Sequence, residues 1–212
     1  MKPTINEARV IIQNCAKKYN EKLLHKKFMI IYRDVEDNKI KFIEVAFAEH
    51  HYQHLTGIQL IDKNKNIIRG QAFNFYRKCL HNKIGNNEIK FRDDGTTALK
   101  LKALPVLTDM SKIVRITGDY NNSRPYLYVD KIIGGVNFCL GLVGEKDYYV
   151  PSSALLEDIR NLSLKTSQVL GILEKEISED LYTKIKYIDK GVNFYNINLP
   201  DNIRQHIAIE NI

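Results

Sequence analysis

The sequence predicts an α+β fold, with N-terminal helices packed on an antiparallel, meandering β-sheet. Three observations carry that prediction. Apolar residues recur at helical spacing through the first half of the chain. From Lys112 onward the pattern turns to short alternating or β-branched runs, separated by Gly, Asn and Asp. No linker-like stretch, heptad or internal repeat divides the 212 residues, which is length enough to bury one sizeable core. Helices gathered before strands argue against a doubly wound parallel sheet.

The elements follow in order. Ile5, Ala8, Val10, Ile11, Ile12, Cys15, Tyr19 and Leu23 place an amphipathic helix over residues 4–24, with Thr4 or Asn6 as its cap. This helix, residues 1–24, is expected to pack on the remaining domain. KFMIIYR (27–33) and IKFIEVAF (40–47), joined by DVEDN, read as a β-hairpin. GQAFNFYRKCLHNK (70–83) sets Phe73, Tyr76, Cys79 and Leu80 on one helical face, with Arg77, Lys78 and Lys83 elsewhere. GTTALKLKALPVL (95–107) opens on cap-type threonines and continues as a helix disturbed near Pro105. KIVRITGDY, RPYLYVDKIIG, GVNFCLGLVGE and DYYVPSSALLED supply strands, and SQVLGILEKE and LYTKIKYIDK add two more around ISED. Residues 191–212 form a tail, poor in core residues from Asn198 on, that frays or makes a short helix.

Composition limits the function classes. Hydrophobic content of 44% and charged content of 27% are those of a soluble globular protein. Cys15, Cys79 and Cys139 are far apart and lie among apolar residues, so buried thiols in a reducing, cytoplasmic setting are expected. Glu7 and Arg9 break the N-terminal apolar run, which argues against a signal peptide. The stretch from Ile132 to Gly144 is too short to span a membrane. A net charge of +7 suits a polyanionic partner, although lysine-rich surfaces also exist simply to be solvated.

The most informative stretch is AFAEHHYQHLTGIQL (46–60), directly after the second strand. His50 and His54 are four apart, as in H-E-x-x-H, but His51 stands where that motif needs glutamate. His81 and His206 are isolated, so no third ligand appears at recognisable spacing and no metal is expected. GLVGEK (141–146) is not a phosphate loop, and neither G-x-G-x-x-G nor G-x-S-x-G occurs, so no cofactor is expected. Acid/base work by histidine survives this elimination. Thr56 places a hydroxyl two residues from His54, and Gly57 permits a tight turn or close substrate approach. The competing reading has His54 capping a strand end or bonding a backbone carbonyl. The stretch is therefore read as an acid/base site on a turn, with a hydrogen-bonded cluster behind it.

FAEHHYQHLTGI, FNFYRKCLHNKI, TTALKLKALPVL, YVDKIIGGVNFCLGLVGEKDYYVPSSALLEDI and VLGILEK occur in an order that resembles one family. It is the phage-associated, barnase–EndoU–colicin–RelE-like nuclease family, in its fourth phage group. The resemblance covers roughly residues 25–190. It implies a metal-independent ribonuclease with a barnase/EndoU/RelE-like fold, cleaving RNA by attack of the 2′-OH on the adjacent phosphate. Carried onto this chain, HLTG makes His54 the general acid/base and Thr56 a hydrogen-bonder to phosphate or 2′-OH. YYVPSS stands where the family commonly has YYPN, and would supply hydroxyls from Tyr149 and Ser152. Lys175, ending VLGILEK, would neutralise the phosphorane. Arg77, Lys100, His51 and Tyr148 are expected against nucleic acid. The partners implied are RNA, such as tRNA or mRNA, and a cognate inhibitor protein. Two alternatives stay open. One is a catalytically inactive RNA- or DNA-binding module, since only Glu49 offers a carboxylate near His54 in sequence. The other is a protein-binding phage accessory factor.

Overall fold

The computed structural model describes residues 2–123, 126–193 and 198–208. Helix α1 spans Ile5–Lys22 and opens on a capping box: Thr4 Oγ1 accepts the Glu7 N–H while the Glu7 carboxylate accepts the Thr4 N–H. Its Ala8, Ile12, Cys15, Ala16 and Tyr19 are buried, as the spacing predicts. Strands β1 (Lys26–Arg33) and β2 (Ile40–Ala46) form the expected antiparallel hairpin. Helix α2 (Glu49–Thr56) follows, then β3 (Ile58–Ile61), β4 (Ile67–Ile68), helix α3 (Ala72–Leu80), β5 (Ile89–Phe91) and helix α4 (Thr97–Leu107). Pro105 sits inside α4. Strands β6 (Ile116–Tyr120), β7 (Lys131–Gly134), β8 (Cys139–Glu145), β9 (Tyr148–Leu155), β10 (Ser163–Glu176) and β11 (Lys184–Ile188) come next, and helix α5 (Asp201–Arg204) closes the order.

The main sheet is a closed barrel, not an open meander. Strands β6 to β9 do meander, but the full order is β1-β2-β9-β8-β7-β6-β10, and β10 pairs back onto β1. Closure depends on the length of β10. Its first part pairs β6, from Ser163↔Tyr120 to Gln168↔Ile116, and its second part pairs β1, from Gln168↔Arg33 to Glu176↔Lys26. The chain is tight at the first seam: a Cβ on Gly118 would collide with the Ser163 hydroxyl and lie 2.6 Å from the Lys165 carbonyl. The β2–β9 contact is parallel, with Val45 opposite Tyr149. Strand β11 attaches beside β10, outside the ring. A separate three-stranded sheet, β4-β3-β5, was not foreseen from the sequence.

One core joins helices and barrel. Tyr19, Tyr52 and Tyr76 meet edge to face, with Tyr52 5.0 Å from Tyr19 and 5.4 Å from Tyr76. Phe28, Ile30, Val45, Leu140 and Ile172 belong to the same cluster, as do Leu101 and Leu104 of α4. Each such aliphatic or aromatic side chain contributes about 1.5–3 kcal/mol by leaving water. Phe73, placed on the buried face by spacing, is instead half exposed; Phe75 takes that position. On the opposite side of β1 and β10, Met29, Ile31, Leu170, Leu173 and Tyr182 bury Leu199 and Ile203. The tail forms the short helix α5, one of the two outcomes expected for it, and its Leu199 and Ile203 join this core. The three cysteines are free and buried. No helix among the described residues is long and apolar enough to cross a membrane.

Candidate active site

The histidine stretch is a helix and its end, not a turn. The His51 Nδ1 accepts the Ala48 N–H at 3.1 Å and so caps the start of α2. Gly57, at φ +65°, ends the helix in the left-handed conformation. Thr56 Oγ1 donates to the Gln53 carbonyl at 2.8 Å and accepts the Ile58 N–H at 3.0 Å. Thr56 is fully buried and its hydroxyl is engaged on both sides, so it fixes the helix end and does not face a substrate. His50 lays its ring 5.2 Å from that of Phe73. Burial first, then His50 and His54, hold the His51 pKa down at about 4.

His54 turns toward a cleft of about 280 Å³ between α2 and the small sheet. His50 and Gln53 share its wall, Gln59 and Arg92 belong to the small sheet's side, and Arg69 stands at the rim. Ile58, Ile67 and Ile68 supply apolar surface. Two polar atoms here are buried without a hydrogen-bond partner among the described residues: Arg92 Nε and Gln59 Oε1. Such orphans cost about 1–3 kcal/mol each, and native proteins keep few of them. Partial desolvation, then Lys100 and Arg92, bring the His54 pKa down to about 4. His54 is nevertheless exposed, and solvent screens part of this repulsion; its imidazole is neutral at pH 7.

Of the other residues singled out by sequence, Lys100 meets His54 through its backbone, and Arg77, Tyr148, Tyr149, Ser152 and Lys175 have their partners elsewhere. Arg77, on α3, is exposed and pairs with Glu49 at 3.0 Å across the start of α2. Lys100 is buried rather than laid on a phosphate-facing surface; its Nζ donates to the His54 carbonyl at 2.9 Å. Burial, then Arg92, lower its pKa to about 8, partly offset by Asp94. On β9, Tyr148 lies under the Lys27 ammonium at 4.9 Å, and the Ser152 hydroxyl donates to the Tyr128 carbonyl at 3.3 Å. Tyr149 packs partly against the main core. Lys175 is buried on β10, donating to the Asp180 carbonyl at 2.8 Å with its ammonium 4.8 Å from the Tyr182 ring. No hydrogen bond, ion pair or ring contact among the described residues joins His54 to Tyr149, Ser152 or Lys175. Nor do three His, Cys, Asp or Glu side chains among the described residues come together as metal ligands.

Residues 11–191 match the family model of the phage-Barnase-EndoU-ColicinE5/D-RelE like nuclease 4. Neither a curated protein nor a solved structure gives a match.

Proposed function

The chain belongs to this family of barnase–EndoU–colicin–RelE-type nucleases, and on that premise we propose that it is a metal-independent endoribonuclease with His54 at its centre. The observation that carries this reading is the unpartnered Arg92 Nε in the same cleft as a neutral His54. A phosphate seated there gives the orphan donor its acceptor. It also offsets the positive charge of Arg92 and Lys100, which raises the His54 pKa back toward neutrality in the complex. His54 then takes the proton of the 2′-OH. The O2′–P bond forms, charge builds on the phosphorane oxygens, and Arg92 and Arg69 stabilise it. The P–O5′ bond breaks and O5′ receives a proton. His50, one helical turn from His54 in the same cleft, supplies it. The products are a 2′,3′-cyclic phosphate and a 5′-hydroxyl. Buried free thiols support a cytoplasmic setting.

The test is incubation with total bacterial RNA in EDTA, wild type beside His54→Ala and Arg92→Ala. Wild-type cleavage with cyclic phosphate ends is expected. His54→Ala is expected to abolish it, and Arg92→Ala to slow it about 10²–10³-fold. Cleavage that persists in His54→Ala, or that needs a divalent cation, overturns the reading. Salt-sensitive RNA binding without cleavage by wild type points to a scaffold that binds and does not cut.

A further inference from the structure

Lys100 poses a problem of its own. It is 7% exposed, and no ion pair joins it to a carboxylate among the described residues. Burying a cation this way disfavours folding, so stability alone does not account for it. Among the described residues its ammonium donates to the His54 carbonyl, in the last turn of α2. Carbonyls at a helix end lack helical partners and carry the negative end of the dipole, so a cation suits them. One turn earlier on α4, Thr97 works in both directions. Its hydroxyl accepts the Arg92 N–H at 2.9 Å and donates to the Gly57 carbonyl at 2.7 Å. Gly57 completes the seam, because a Cβ there would lie 3.1 Å from both Lys100 Cδ and Thr97 Cα. The start of α4 thus grips the backbone under His54 and the backbone of Arg92 at once.

We propose that α4 is a clamp, and that Lys100 and Thr97 are positioning residues that hold His54 and Arg92 in register across the cleft. This rests on the reading of His54 and Arg92 as the reacting pair. The clamp has an electrostatic consequence as well. His54 shares the cleft with His50 from its own helix and with Arg69 and Arg92 from the small sheet's side, Lys100 lies behind it on α4, and His51 sits near it on the helix but outside the cleft lining. Burial does most to favour the neutral, proton-accepting imidazole, and Lys100, then Arg92, add to it.

The experiment is an NMR titration of the histidine ring protons in wild type, Lys100→Met and Lys100→Arg, run beside the pH profile of kcat/KM on a short RNA. In Lys100→Met the His54 midpoint is expected to rise by roughly 1 unit, with cleavage falling at least about tenfold. Lys100→Arg is expected to keep the low midpoint. Thr97→Val removes both threonine bonds and is expected to lower kcat more than it changes KM, with Thr97→Ser restoring it; this pair serves if Lys100→Met fails to fold. A His54 midpoint unchanged in Lys100→Met overturns the clamp, as does full activity in Thr97→Val. The titration needs no cleavage. An unmoved midpoint with His54-dependent cleavage sinks the clamp alone; a moved midpoint without cleavage sinks the nuclease reading and with it the clamp's role in catalysis, leaving only the electrostatic link between Lys100 and His54.

Discussion

His51 Nδ1 accepts the Ala48 N–H, whereas His50, resting against Phe73, and His54 line the same cleft, so near neighbours in sequence are split between a capping role and the cleft. Helical geometry separates them: His50 and His54 share a face, while His51 is turned away toward the helix start. Gly57 is the residue on which this arrangement depends most. Gly57→Ala forces an L residue into φ +65° and drives a Cβ against Lys100 and Thr97. We expect a loss of about 1–2 kcal/mol from the backbone strain, seen as a lower urea midpoint at unchanged slope. Part of the site was legible in the sequence. His54 stood out through its neighbours and Gly57 through its conformational freedom. Thr56 and Lys100 looked like surface donors because residue type does not reveal that a hydroxyl or an ammonium is already bonded to backbone. Gln59 and Arg92 carried no local signal. Only the pairing of β3 with β5, Gln59 opposite Lys90, brings them to the cleft.

At the level of elements, α2 is short and its start depends on an imidazole where glutamate or glutamine usually serves. His51→Ala is expected to cost about 1 kcal/mol at pH 7, and His51→Gln to restore most of it. Acidity should act like the alanine substitution. The His51 pKa is about 4 in the folded chain and 6.5 in its absence, so the unfolded chain binds more protons between those values. Stability is complete above pH 6.5 and falls as the pH drops toward 4. Urea midpoints at pH 7 and pH 5 check this, and His51→Gln should flatten part of the difference; an unchanged slope with pH in that variant would remove His51 as the cause. Helices α1 and α3 were legible through repeated helical spacing, α4 through its cap-type threonines, and the β1–β2 hairpin through two apolar, β-branched runs around DVEDN. Strands β3, β4 and β5 were not, since two to four residues cannot display a period. They nevertheless form one side of the cleft.

The molecule as a whole is closed by contacts between residues far apart in sequence, which local pattern does not report. The strand read from SQVLGILEKE begins at Ser167, whereas β10 begins at Ser163, and the added residues are among those that pair β6. Leu164 among them is exposed, so no alternation marked them as strand. Charge is the other global property. The chain carries 32 Lys and Arg against 25 Asp and Glu, yet many of these cations are spent on ion pairs such as Lys22–Asp109, Lys41–Asp34 and Lys131–Asp119. A cleft of about 280 Å³ holds on the order of one nucleotide. Few phosphates should therefore be neutralised on binding, despite the net +7. For single-stranded RNA the slope of log K against log salt is about −0.7 per phosphate contact, so a slope between about −1 and −3 is expected. Binding of a short oligonucleotide to His54→Ala, measured from low to physiological salt, gives that slope without cleavage. Removing Arg92 and Arg69 together should make it shallower by about one contact each. A slope near zero would exclude phosphate as what the cleft receives, and one much steeper would place most of the binding on surface outside it.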